Sequence, residues 1–295
     1  MPGARGHGRG RPSGLIALAT SEELPELDPD DAPLVAALAE RGLEPRPVVW
    51  SDPDVDWAAF DLCLVRSVWD YFHRPAEFLD WVERAGRAVP LWNPPETVRW
   101  NAHKSYLRDL EARGVAVIPT AWARRGEAAD LAAILAERGW DDAVVKPAVA
   151  GGSLGLRRVG DVAAAQAHLD RLLAEGDAMI QPFLPSIGDG ELSVICIEGE
   201  PRHAVRKTPR AGDIRVQPEH GGVVERAEPD AAEAEAVATV LAALDHPALY
   251  ARVDLVRSPE GEPLVIELEC IEPRLFFEQG PETAAHVADA VLARL

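Results

Sequence analysis

Between residues 14 and 95 short apolar runs alternate with amphipathic segments, whereas beyond residue 178 apolar runs follow one another with few helices between. The first pattern constrains the fold most. GLIALAT (14–20), EPRPVVW (44–50), FDLCLVRS (60–67) and LWN (91–93) read as strands; LVAALAERG, ending at Gly42, and PAEFLDWVERAG, stopped by Gly86, read as helices. Strands joined through helices form an open parallel sheet with helices on its faces. Further on, SYLRDLEARG and AADLAAILAERG read as helices and DDAVVKP as a strand. The runs AMIQPF, ELSVICIEG, PRHAVRK, GGVVERA, LYARVDLVR and PLVIELEC then read as mainly antiparallel strands, with DAAEAEAVATVLAAL the main helix among them. The fold class is α/β plus α+β.

The formal charge of −19 argues against a nucleic-acid surface, because phosphate backbones reward clustered Lys and Arg. A small anion can still bind where a few cations converge. No apolar run approaches the roughly 20 residues that span a bilayer, so no membrane partner is expected. Cys63, Cys196 and Cys270 are odd in number and far apart, which suits a reducing cytoplasm and buried apolar roles. Residues 1–13 carry Arg5, Arg9 and Arg11 but no apolar core of a signal peptide, and read as a flexible tail.

Of 30 basic residues only Lys104, Lys146 and Lys207 are lysines. A chain that prefers Arg should keep Lys where a compact point charge must reach a phosphate or carboxylate. Lys146 ends the strand AVVK and precedes PAVAGGSLG, where Gly151, Gly152 and Gly155 allow N–H groups to point outward at an anion. A plain Gly-Gly hairpin is the alternative. Near the C-terminus, period-2 alternation places Arg252 with Asp254 on one face of a strand, and Glu267 with Glu269 on one face of the next. Three such acids among Val, Ile and Leu would repel one another unless cations intervened, and Mg²⁺ takes carboxylates together with phosphate oxygens. A solvated sheet face, disfavoured by flanks too apolar for an exposed strand, and a paired-carboxylate hydrolase, which would not call for the glycines and lysines, are the other readings.

The order Lys104, VVKP with its glycine loop, QPFLP, RVD and ELE resembles the ATP-grasp ligases over roughly residues 15–295, and MIQPFLPSIGDGELSVICIEGE resembles the hinge of their prokaryotic glutathione-synthetase branch. The resemblance implies an N-terminal substrate domain over 14–113 and two α+β subdomains, 114–184 and 185–295, enclosing ATP. It implies that Lys104, Lys146 and the loop Gly151, Gly152, Ser153 and Gly155 hold the phosphates. Gln181, Phe183 and Leu184 would line the adenine pocket. Glu191, or else Asp189, would take the ribose. Asp254, Glu267 and Glu269 would hold one or two Mg²⁺ ions, with Mn²⁺ an acceptable substitute, and Arg252, Arg215 and Lys207 would neutralise the transferred phosphoryl group. Many relatives have Glu-x-Asn where this chain has Glu267-Leu-Glu269, which changes the charge of that metal site.

The implied reaction joins a small-molecule carboxylate to an amine through an acyl phosphate, releasing ADP. RSVWDY (66–71) follows a strand, where open α/β sheets present ligand loops, so Arg66, Ser67, Trp69 and Tyr71 are substrate candidates. HAVRKTPRAGDIRVQPEHGG (203–222) reads as a mobile cationic loop carrying Lys207, Arg210 and Arg215. These two segments also resemble the cyclo-ligases of cycloserine-type antibiotic biosynthesis, which close O-ureido-serine onto itself. His103, His203 and His220 lack metal-ligand spacing and read as hydrogen-bonding residues. A nucleotide-binding module without catalysis, a phosphotransferase, and either a monomer or a homodimer are further expectations.

Overall fold

The computed structural model describes residues 13–245 and 248–295; apart from Ser13, the expected tail lies outside the described residues. The apolar β1 (Leu15–Thr20) leads through α1 (Ala32–Glu40) to β2 (Glu44–Val49), β3 (Leu62–Ser67), α2 (Pro75–Ala88) and β4 (Leu91–Trp92). These strands form a parallel sheet in the order β2-β1-β3-β4. Gly86 does not stop α2, which runs on to Ala88. A Cβ there would sit 2.5 Å from the Pro95 ring, so the glycine instead admits α3 (Pro95–Asn101) at close range.

Beyond α4 (Tyr106–Ala112) come β5 (Ala121–Ala123), α5 (Leu131–Arg138), β6 (Ala143–Pro147), β7 (Arg157–Arg158), α6 (Val162–Glu175) and β8 (Ala178–Pro182). The sheet order is β5-β8-β6-β7, with antiparallel pairing throughout. A third sheet, β11-β10-β9-β12-β13, is also antiparallel and combines β9 (Glu191–Ile197), β10 (Glu200–Thr208), β11 (Val223–Ala227), β12 (Tyr250–Arg257) and β13 (Pro263–Glu269). α7 (Ala231–Ala242) starts at a capping box in which Asp230 and Glu233 each accept the other's backbone N–H, and α8 (Glu282–Leu292) ends the chain. No element is expected from the sequence reading over 162–175 or 282–292, yet both are helices. Asp161, which accepts the N–H groups of Ala163 and Ala164, is the local signal for the first.

The C-terminal helix returns to the first sheet. Leu34 and Leu38 of α1, Ile16 and Leu18 of β1, Ile195 and Ile197 of β9, and Val287 and Val291 of α8 share one core. Each such fully buried side chain contributes about 2 kcal/mol. Polar stitches fix the same junction: Asn93 donates to the carbonyls of Tyr250 and Cys270 and accepts from Leu249 N–H, while Asn101 donates to Leu268 O and accepts from Cys270 N–H. The three cysteines are free and buried. No helix among the described residues is long and apolar enough to cross a membrane.

Candidate active site

A cavity of about 540 Å³ opens between the second and third sheets and is edged by residues 69–73, which follow β3. On its floor, antiparallel register sets Arg252 opposite Glu269 and Asp254 opposite Glu267. One oxygen from each of Asp254, Glu267 and Glu269 lies within 4.8 Å of the others. Cations now hold these acids together: Lys104 pairs with Glu267, Arg252 with Glu269 and with Asp254 at 2.9 Å, and Lys207 with Asp254 at 3.4 Å. Ser193 adds a 2.6 Å hydrogen bond to Asp254. Burial works against the charge on Asp254, but Arg252 and Lys207 outweigh it and hold the carboxyl below the usual range. An all-oxygen donor set of this kind fits a hard divalent ion such as Mg²⁺ or Mn²⁺.

Lys146 stands near the end of β6, 8% exposed, and among the described residues its ammonium makes no hydrogen bond or ion pair. Burial lowers its ammonium to about 8. Lys104 is fixed differently: its N–H donates to Ala148 O at 2.8 Å and its Nζ to Ala150 O at 3.1 Å, which ties it to the start of the glycine loop. Within that loop Gly152, Ser153 and Gly155 have positive φ of 58°, 62° and 72°, and Ser153 Oγ donates to Gln217 Oε1 at 2.8 Å. Gln181, Phe183 and Leu184 line the cavity with Val144, Ile118 and Ile266, forming an apolar slot beside these cations. Glu191 also faces the cavity; burial raises its carboxyl to about 7 although Lys207 pairs with it.

Several sequence-predicted residues lie elsewhere. Arg66 is not a cavity residue: it is buried, pairs with Asp31 at 2.9 Å and donates to Pro273 O at 3.1 Å. Ser67 is likewise consumed within the first domain, donating to Asp31 and accepting from Asp28 N–H. Arg215 folds back on Asp213 at 2.8 Å, Arg210 points toward the same carboxylate at 4.0 Å, and neither lines the cavity. Asp213 also accepts the N–H groups of Ile214 and Arg215, so this acid turns the expected cationic loop in on itself. Lys207 belongs to strand β10 rather than to a loop. Asp189 is exposed and outside the cavity. Trp69 and Tyr71 do line it, as expected.

The segment after β13 supplies what the sequence reading missed. Glu272 and Arg274 both face the cavity. Arg274 pairs with Asp28 at 3.1 Å and with Glu219 at 3.0 Å, and its guanidinium sits 4.9 Å from the Trp69 ring centre. Burial, reinforced by Glu269, raises the Glu272 carboxyl to about 8. His103 and His203 hydrogen-bond to Ser105 and Thr283, while His220 borders the cavity.

The ATP-grasp domain model of prokaryotic glutathione synthetase matches residues 117–258, and the model of the N-terminal domain of D-cycloserine synthetase DcsG matches residues 16–93. The cycloserine biosynthesis protein DcsG of Streptomyces lavendulae is 36% identical over 96% of this chain and 99% of its own length. Glutathione synthetase of Prochlorococcus marinus (strain MIT 9313) is 30% identical over 74% of this chain and 67% of its own. The crystal structure of D-cycloserine synthetase DcsG superposes with a TM-score of 0.87 at 32% identity, covering 95% of this chain and 99% of that one. Sequence, fold and the lysine–carboxylate floor agree: the chain belongs to the ATP-grasp ligases, ATP-dependent enzymes that form carbon–nitrogen bonds, in the glutathione-synthetase-like branch that includes D-cycloserine synthetase.

Proposed function

We propose that the chain is an ADP-forming cyclo-ligase of the cycloserine-synthetase type, in which one small amino-acid-like molecule carries both the carboxylate and the attacking nitrogen. The observation that carries this reading is the match to the cycloserine synthetase along the whole chain, N-terminal domain included, joined to a cavity whose floor pairs three carboxylates with three cations. Ligation of two separate substrates is the second reading, favoured by the glutathione-synthetase match over 117–258.

ATP would lie with its adenine against Gln181, Phe183 and Leu184, its ribose toward Glu191, and its phosphates toward Lys104, Lys146 and the 151–155 loop. The Lys146 ammonium has no protein partner among the described residues and is free to meet an anion. Asp254, Glu267 and Glu269 would hold Mg²⁺, which when bound supplies charge neutralisation between phosphate oxygens. A substrate carboxylate oxygen attacks the γ-phosphorus and the bond to ADP breaks. The nucleophilic nitrogen then attacks the acyl carbon, the bond from that carbon to the phosphate oxygen breaks, and phosphate leaves as the nitrogen loses its proton. Positioning and charge neutralisation by Arg252 and Lys207 serve both steps, so no covalent enzyme intermediate is needed. Closure of the 151–155 loop, held by Ser153 on Gln217, would exclude water from the acyl phosphate. The partners are small molecules and the setting is cytoplasmic.

Incubation with O-ureido-serine and Mg-ATP tests the reading: ADP and phosphate should appear in equal amounts with no second amino acid. A strict requirement for a second amino acid would favour the intermolecular reading.

A further inference from the structure

We infer that Glu272 is the anchor for the substrate's α-ammonium group, so that the enzyme selects a zwitterionic amino acid over the same acid without its amine. This inference rests on the cyclo-ligase reading and deepens it.

Six acids line the cavity, and five have cationic partners: Glu191 with Lys207, Asp254 with Arg252 and Lys207, Glu267 with Lys104, Glu269 with Arg252, and Glu219 with Arg274. Glu272 is only 8% exposed, and among the described residues its carboxylate has neither a hydrogen bond nor an ion pair. A buried carboxylate left in this state is costly, and a bound cation removes the cost. The nearby protein cations are committed elsewhere. Lys104 serves Glu267 and Ala150 O, Arg252 serves Asp254, Glu269 and Arg274 O, and Arg274 serves Asp28 and Glu219. Glu272 also stands outside the group of three carboxylates whose oxygens converge within 4.8 Å, so it is not a member of the metal cluster.

The backbone that carries Glu272 is held at three successive carbonyls. Trp69 Nε1 donates to Glu272 O at 3.0 Å, Arg66 Nη2 to Pro273 O at 3.1 Å and Arg252 Nη1 to Arg274 O at 3.2 Å. A side chain on so constrained a segment is preorganised to receive a ligand. Trp69 and Tyr71 line the same cavity, offering ring surface to an ammonium group. An ammonium held as an ion has no lone pair, so the anchored nitrogen is not the nucleophile. The bond-forming nitrogen must lie elsewhere on the molecule, as ring closure by a side-chain nitrogen requires.

The experiment is titration calorimetry in the presence of a non-hydrolysable ATP analogue and Mg²⁺, using O-ureido-serine and its counterpart lacking the α-amino group. ADP release from ATP is followed in parallel. The wild-type protein should bind the ammonium-bearing molecule at least about 30-fold more tightly, and Glu272→Gln should cut that preference below about threefold while leaving nucleotide affinity unchanged. Because Gln is isosteric and Glu272 has no partner to strand, the variant should keep its melting temperature. An unchanged preference in Glu272→Gln overturns the inference, as does an equal loss of affinity for both molecules or a shifted Mg²⁺ dependence in place of lost preference. ADP release with an unchanged preference in the variant sinks this inference alone. A lost preference without substrate-dependent ADP release sinks the ligase reading alone. Failure of the wild type to bind either molecule sinks both.

Discussion

Two neighbouring stretches of the C-terminal chain place carboxylates in one cavity by opposite means. On β12 and β13 strand register does the work: alternation and antiparallel pairing put Arg252, Asp254, Glu267 and Glu269 together, and any chain with that pattern would bring them close. Residues 271–274 have no ladder. The carbonyls of residues 272–274 are held by Trp69, Arg66 and Arg252, donors reaching in from two other parts of the fold. A ladder tolerates the loss of one side chain, whereas a segment pinned from outside depends on each pin.

The largest test of that contrast is Arg66→Met. It strands Asp31 without its cation in a buried site and removes the hold on Pro273, so unfolding in urea should show a loss of about 3–5 kcal/mol. A substrate-binding arginine would instead raise KM with stability intact, which would restore the role expected from sequence. Asp254→Asn comes next. On the ladder it should leave circular dichroism unchanged but lower substrate-dependent ADP release by about 100-fold, since charge neutralisation of the transferred group goes with it. Retention of full turnover would remove Asp254 from the metal site.

A pH series sharpens the nucleotide side. The Lys146 ammonium is depressed to about 8 in the ligand-free protein, so below that pH it is already charged, and above it phosphate binding must also take up a proton. The Kd for ATP should therefore be flat below pH 8 and rise by up to tenfold per unit above it. Lys146→Arg should shift that rise out of range. A flat wild-type profile to pH 10 would mean that Lys146 does not meet the phosphates. The smallest effect belongs to Trp69→Phe, which removes one hydrogen bond, to Glu272 O. About 1 kcal/mol is at stake, or roughly a fivefold rise in KM for the amino-acid substrate with KM for ATP unchanged.

The same contrast explains what could be read from the sequence. Period-2 alternation made Arg252, Asp254, Glu267 and Glu269 legible, and the scarcity of lysine singled out Lys104, Lys146 and Lys207, all of which line the cavity. Glu272 and Arg274 carry no period, because their placement depends on donors as distant in sequence as Arg66 and Trp69. Arg66 lies outside the cavity for the same reason. Its position after a β-strand suited a ligand loop, but Asp31, 35 residues earlier, claims its charge. Arg210 and Arg215 lie outside the cavity for a more local reason, an acid at position 213 within reach of both guanidinium groups. The parallel first sheet and antiparallel third sheet followed from hydrophobic patterning, whereas Gly86 showed that a glycine in a helix can mark a close neighbour rather than an end.

The central claim, ATP-driven activation of a carboxylate, is tested most directly by running the reaction with O-ureido-serine and Mg-ATP in the presence of hydroxylamine. The account predicts ADP and inorganic phosphate in step with a substrate-derived hydroxamate, all absent when the substrate is omitted. AMP with pyrophosphate, a stable phosphorylated product that gives no hydroxamate, or ATP binding without substrate-dependent turnover would contradict it.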